Sequence, residues 1–110
     1  MLATFTAELP PDDAAEPVVL WPEHFDLATA AGPEGRRATY GLSPGDAGVP
    51  GPYVYVAPYE SPPPDPFWDA TSFVGAVRTY GEVVGGADPD GRALALLRDG
   101  RALLRDTPRG

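Results

Sequence analysis

Apolar and polar residues alternate in several separate runs along the chain, and one late stretch repeats at three-and-four spacing instead. From Ala3 to Leu9 the apolar side chains Ala3, Phe5, Ala7 and Leu9 alternate with Thr4, Thr6 and Glu8, a period of two that predicts a strand. Pro10, Pro11, Asp12 and Asp13 stop it. A second run starts at Val18 and passes through LWPEHFDLA, Leu20 to Ala28. Pro22 has no N–H to give to a ladder, so this run is predicted as a strand broken at a sheet edge or bulge, resuming at His24 and ending near Thr29. Gly32, Pro33, Glu34 and Gly35 supply a turn, after which Ala38, Tyr40 and Leu42 share one face of the next run. These two runs are predicted to pair as a hairpin.

After the loop SPGDAGVPGP, where Pro44 and Gly45 suit a type II turn, YVYVAPY alternates strongly. Val54 and Val56 belong to a core, while Tyr53, Tyr55 and Tyr59 form a row whose rings can pack as their hydroxyls reach water. ESPPPDP is an extended connector, Phe73 to Val77 is apolar without a clear period, and Thr79 to Val84 is assigned one helical turn. A helix is predicted from Asp88 to Arg105. Asp88 can cap it, Pro89 suits its first position, and Ala93, Leu96, Leu97, Gly100, Leu103 and Leu104 form one apolar stripe. Arg92, Arg98, Arg101 and Arg105 are predicted to lie on the solvated face. Gly100 weakens a helix by about 1 kcal/mol relative to alanine, so its place in the stripe predicts a close approach to the sheet.

These elements predict an α+β fold: an antiparallel sheet of about four strands with the C-terminal helix packed on one face and Pro/Gly-rich loops between. Residues 1–17 are predicted as an N-terminal strand or arm, a remnant of a longer N-terminal region, and residues 18–110 as a single α+β domain. The 13 glycines and 15 prolines are read as punctuation between short elements, because a 43% apolar content is enough to bury a core in 110 residues.

Charge narrows the partners. Sixteen acidic residues against eight arginines give a formal charge of −8, a field that repels nucleic-acid phosphates and anionic lipid surfaces. No stretch is long and apolar enough to span a bilayer, and the N-terminus lacks the basic start of a signal peptide. The absence of cysteine excludes disulfides and thiolate chemistry, and the expected location is the cytoplasm.

Candidate chemistry gathers on the single histidine. On an extended backbone His24 and Asp26 project to one side, and a carboxylate two residues from an imidazole can orient it or share a cation with it. Asp46 in the neighbouring turn is a third catalytic candidate and Glu23 a further metal-ligand candidate, so a divalent metal or an acid–base site is one expectation. The spacing matches no metal signature, and no cofactor is predicted by it. The competing expectation is structural, with His24 bonded at a strand end. A second candidate is an aromatic ligand or partner face of Trp21, Tyr53, Tyr55, Tyr59 and Trp68, for which burial is the preferred alternative. There is no P-loop, dinucleotide fingerprint or nucleophile elbow.

Taken in order, LWPEHFDLA, YGLSPGD, PYVYVAP and FWDA followed by a leucine-rich helix resemble the C-terminal part of a family of bacterial proteins of unknown function, common in actinobacteria. The resemblance spans about residues 18 to 105. It implies longer relatives with another β-rich portion in front, and hence a sheet edge left open here that favours self-association. It supplies no chemistry. The functional expectation is therefore a non-catalytic binding or assembly module working through its aromatic face or open sheet edge, as a homo-oligomer or with a missing N-terminal domain. The alternative is an enzyme site of His24, Asp26 and Asp46.

Overall fold

The computed structural model describes residues 2–21, 26–45, 51–70, 73–79 and 89–106. Five strands, β1 (Val19–Trp21), β2 (Asp26–Ala31), β3 (Ala38–Ser43), β4 (Tyr53–Pro58) and β5 (Ala76–Thr79), form one antiparallel sheet in the order β1-β2-β3-β4-β5. Among the described residues two helices, α1 (Leu2–Glu8) and α2 (Pro89–Asp106), accompany the sheet in an α+β architecture, with a short 3-10 turn at Pro11–Asp13. α2 contacts β4, β5 and α1, so the predicted helix-on-sheet packing is present, with one strand more than the expected four.

Strand register separates the two faces of the sheet. Leu27, Leu42 and Val54 lie in one cross-strand row and Thr29, Tyr40, Val56 and Ala76 in the next, all on the face beneath the helices. The core is built there from Tyr40, Val54, Val56 and Ala76 against Leu96, Leu97 and Leu104 of α2. Of the predicted stripe of α2, Ala93, Leu96, Leu97, Gly100 and Leu104 are buried and Leu103 is half-buried, while Arg98 and Asp99 are exposed. Gly100 makes the close approach its position implies. A Cβ there would sit 3.0 and 3.1 Å from the Val56 methyls and 3.3 Å from the Phe67 ring. Asp88, the predicted cap, and residues 80–84 of the predicted helical turn lie outside the described residues.

Three expectations change. The N-terminal run is a helix, not a strand: Leu2, Phe5 and Leu9 fall on one helical face, Leu2 and Phe5 are buried in the core, and Phe5 packs 4.7 Å from the Tyr40 ring. Seven residues do not hold a helix alone in water, and this packing is what stabilises it. The run predicted as one strand broken at Pro22 is two strands paired antiparallel, with Trp21 opposite Asp26 and Leu20 opposite Leu27. Finally, Arg101 leaves the solvated face predicted for it. Its Nε and Nη2 donate to the two carboxylate oxygens of Asp13 at 2.6 and 3.0 Å, and the Asp13 side chain is 2% exposed.

That ion pair is the centre of a polar knot at one end of the sheet. The Asp13 carbonyl accepts from the Gly32 amide and from Arg37 Nη1, which also donates to the Gly32 carbonyl, and Arg37 Nη2 reaches Ala14 and Glu16. Ala14 holds a left-handed φ of 45° directly after Asp13, a conformation costly for a residue with a Cβ. A second, exposed pair, Arg98 with Glu8, joins α2 to α1 and draws the Glu8 carboxyl below its usual range by hydrogen bonding.

Candidate functional site

The face turned away from the helices carries Asp26, Tyr53 and Tyr55. Cross-strand pairing puts Tyr55 beside Gly41, Gly41 beside Ala28, and Asp26 on the same face two residues before Ala28. Because Gly41 has no side chain, the Tyr55 ring lies across β3. A Cβ on Gly41 would be 2.6 Å from both Cζ and Oη of Tyr55. The phenol then donates to Asp26 Oδ2 at 2.9 Å on β2. Burial raises the Tyr55 pKa above its ordinary value, and the hydrogen bond to the Asp26 carboxylate adds to the rise. Asp26 Oδ1 is buried and has no hydrogen-bond partner among the described residues. Tyr53 and Phe73 flank the Tyr55 ring, with centroids 5.7 and 6.2 Å away.

The predicted aromatic set is divided by this geometry. Tyr53 and Tyr55 are buried, 7% and 9% exposed, on the face opposite the helices. Tyr59 is 59% exposed beside the Gly32–Arg37 turn, where it borders a groove of about 380 Å³ with Asp12, Glu34 and Glu60. Trp68 packs edge-on against Phe67, 4.9 Å away, and both adjoin the helix-side core. The backbone of Trp21 ends β1 opposite Asp26, and its side chain is not among those described. Of the acid–base and metal candidates, Asp26 is bonded to Tyr55, while Glu23, His24 and Asp46 lie outside the described residues. Among the described residues there is no cluster of three His, Cys, Asp or Glu side chains able to hold a metal ion, and no helix long and apolar enough to cross a membrane. Comparison with protein-family models, with curated proteins and with solved structures finds no match.

The two edges of the sheet are treated differently. At β5 the Asp69 carboxylate accepts the Val77 amide through Oδ1 at 3.2 Å and pairs with Arg78 through Oδ2 at 2.8 Å. Ala70 adds a backbone bond to Gly75. A side-chain acceptor therefore occupies a ladder donor on that strand. β1, at the other end of the order, presents Val19 at 44% and Leu20 at 52% exposure, with Val18 and Leu27 also exposed. The chain before β1 follows the same edge, because the Glu16 amide donates to the Ala30 carbonyl and Thr29 Oγ1 donates to the Glu16 carbonyl. Pro17 and Pro22 bracket the strand.

The Asp13–Arg101 pair and the Asp69 edge cap escape sequence reasoning. Asp13 follows two prolines and reads as a strand stop, and nothing local indicates a partner 88 residues away. Asp69 stands in an apolar run, FWDA, where an acid with a backbone partner was the available clue.

Proposed function

We propose that this chain is a non-catalytic assembly module that pairs through the edge of β1 with β1 of a second copy. The observation that carries the reading is the asymmetry of the edges: β5 is capped by Asp69, whereas β1 offers exposed Val18, Val19 and Leu20. An exposed strand edge is a template for another strand, and two identical edges meet antiparallel about a two-fold axis. Residues 17–22 carry no formal charge, so the pairing brings no ionised side chains of that segment face to face. Leu20 and Leu27, neighbours on the helix-side face, would be covered together.

The inward turn of Tyr53 and Tyr55 favours the strand edge over the aromatic face as the contact. A three-residue strand gives a contact at the small end of interface sizes, below about 1,200 Å² in total, and hence a weak, concentration-dependent dimer. The charge of −8 on each copy opposes association at long range, so added salt strengthens it by screening. Sedimentation equilibrium tests this. A monomer–dimer equilibrium is expected, lost in Leu20→Lys and retained in Val74→Lys, a matched change at a residue of nearly equal exposure, 53%, away from β1. A chain that stays monomeric at high concentration and high salt, or equal effects of the two lysines, overturns the proposal.

A further inference from the structure

Between β4 and β5 the chain runs through ESPPPDP, residues 60–66. Residues 61–65 belong to no helix, strand or turn, and Ser61, Pro63, Pro64, Asp65 and Pro66 are all exposed. We propose that this segment is a docking ridge for a partner protein whose groove is lined with aromatic rings and carries a basic side chain at its rim.

Sterics fix the shape of the ridge. Ser61, Pro62, Pro63 and Asp65 each stand directly before a proline, which disfavours helical backbone and holds them extended. Such a run adopts the polyproline II helix, with about three residues per turn and a backbone left to water. Among the described residues no backbone hydrogen bond engages residues 60–64. Side chains three apart therefore share an edge of the helix. Pro62 and Asp65 form the edge tied to the protein: Pro62 is half-buried, and Asp65 Oδ1 accepts the Phe67 amide at 2.8 Å. Pro63 and Pro66 form an outer edge with Pro64 beside it, and all three are exposed.

The segment is held at both ends. Before it, the Tyr59 amide donates to the Arg37 carbonyl at 2.9 Å. After it, the Trp68 amide donates to the Asp65 carbonyl at 3.0 Å, and Phe67 and Trp68 pack against the helix-side core. A ridge already ordered in this way loses little freedom when it is bound. Its exposed prolines fit between flat rings, which is how proline-rich segments dock in aromatic grooves.

Charge sets the rim of that groove. Asp12, Glu34 and Glu60 border the hollow beside Tyr59, and none of the three is paired with a basic side chain among the described residues. Arg37, which borders the same hollow, is taken up by Asp13, Gly32, Ala14 and Glu16. The N-terminal end of the ridge is therefore negative and selects lysine or arginine on the partner.

The test titrates unlabelled SH3, WW and EVH1 domains, which read polyproline II ridges, into isotope-labelled protein. Proline has no amide proton, so the amides of Glu60, Ser61, Asp65 and Phe67 report on the ridge. At least one domain is expected to shift them, with a dissociation constant on the order of 100 μM because the contact is far smaller than a standard interface. A free polyproline peptide, which fills the groove of the domain, should reverse the shifts. The double variant Pro63→Ala and Pro64→Ala should weaken binding about tenfold, as suits the central contacts of an interface. Glu60→Lys should weaken it several-fold and reduce its salt dependence. Unchanged amide shifts in the strands and α2 show that both variants are folded. No shift at the four amides with any domain, shifts that survive the polyproline peptide, or binding unaltered in either variant would each overturn the proposal.

Discussion

Alkaline pH should unfold this protein by a route that two buried phenols define. Tyr40 is 1% exposed and Tyr55 is 9% exposed, and burial raises both pKa values above the ordinary 10.0, with the carboxylates of Asp13 and Asp26 adding to the rise. A group whose folded pKa is raised keeps its full contribution to stability below its unfolded pKa and loses it as the pH climbs from there toward the folded value. Above about pH 10 each phenol therefore removes up to about 1.4 kcal/mol of stability per pH unit, and the two together about 2.7. Against a total of about 5–15 kcal/mol, unfolding should follow within a few pH units. Urea denaturation at stepped pH measures the slope, and near-ultraviolet phenolate absorbance counts ionised tyrosines. In the folded protein at least two of the five tyrosines should stay protonated and then ionise with loss of the far-ultraviolet dichroism. Tyr55→Phe should halve the slope while costing about 1.5–3 kcal/mol near neutrality, because it removes a hydrogen bond to a carboxylate. Ionisation of all five tyrosines near pH 10 with the fold intact would refute the account.

The ion pair between Asp13 and Arg101 makes an asymmetric prediction. Arg101→Leu leaves a carboxylate that is 2% exposed without its cation and should cost about 3–5 kcal/mol in urea denaturation, whereas Asp13→Asn leaves an arginine already 20% exposed and should cost less, about 1–3 kcal/mol. The reverse order would show that the pair is not what holds that end of the sheet. Gly41→Ala should push the Tyr55 ring off β3 and cost about 2–3 kcal/mol; the combined variant with Tyr55→Phe should lose less than the sum, because the bond to Asp26 can be broken only once. Asp69→Ala should free the β5 edge, so light scattering should show species larger than a dimer, and a purely monomer–dimer distribution would contradict the role given to Asp69.

Long, regular runs were legible in the sequence and short or distant relationships were not. The β2–β3 hairpin, β4 and α2 follow from periods repeated over six residues or more, and Gly100 marked its own contact with Val56. The first segment misleads because it satisfies two periods together: Ala3, Phe5, Ala7 and Leu9 alternate, yet Leu2, Phe5 and Leu9 also share a helical face, and docking against Tyr40 decides between them. β5 is four residues long with an arginine on its helix-side face, too little pattern to call a strand. At the site, the tyrosine row was visible, but its direction was not. Gly41 determines where the Tyr55 ring goes, and Gly41 is a neighbour of Tyr55 only after β3 and β4 have paired. His24 lies outside the described residues, while Asp26 from the same segment is held by that tyrosine.

The bond between Asp13 and Arg101 also sets a timetable for synthesis. The carboxylate is made early and its guanidinium 88 residues later, and the Glu8–Arg98 pair spans 90. A nascent chain can close its middle hairpin on the ribosome and offer Tyr40 to Phe5, yet the Asp13 carboxylate has no counter-charge from α2 until Arg101 has cleared the exit tunnel. Closure of these two ion pairs is thereby postponed until α2 has emerged, and a pause in translation before Arg101 leaves the sheet without its covering helix.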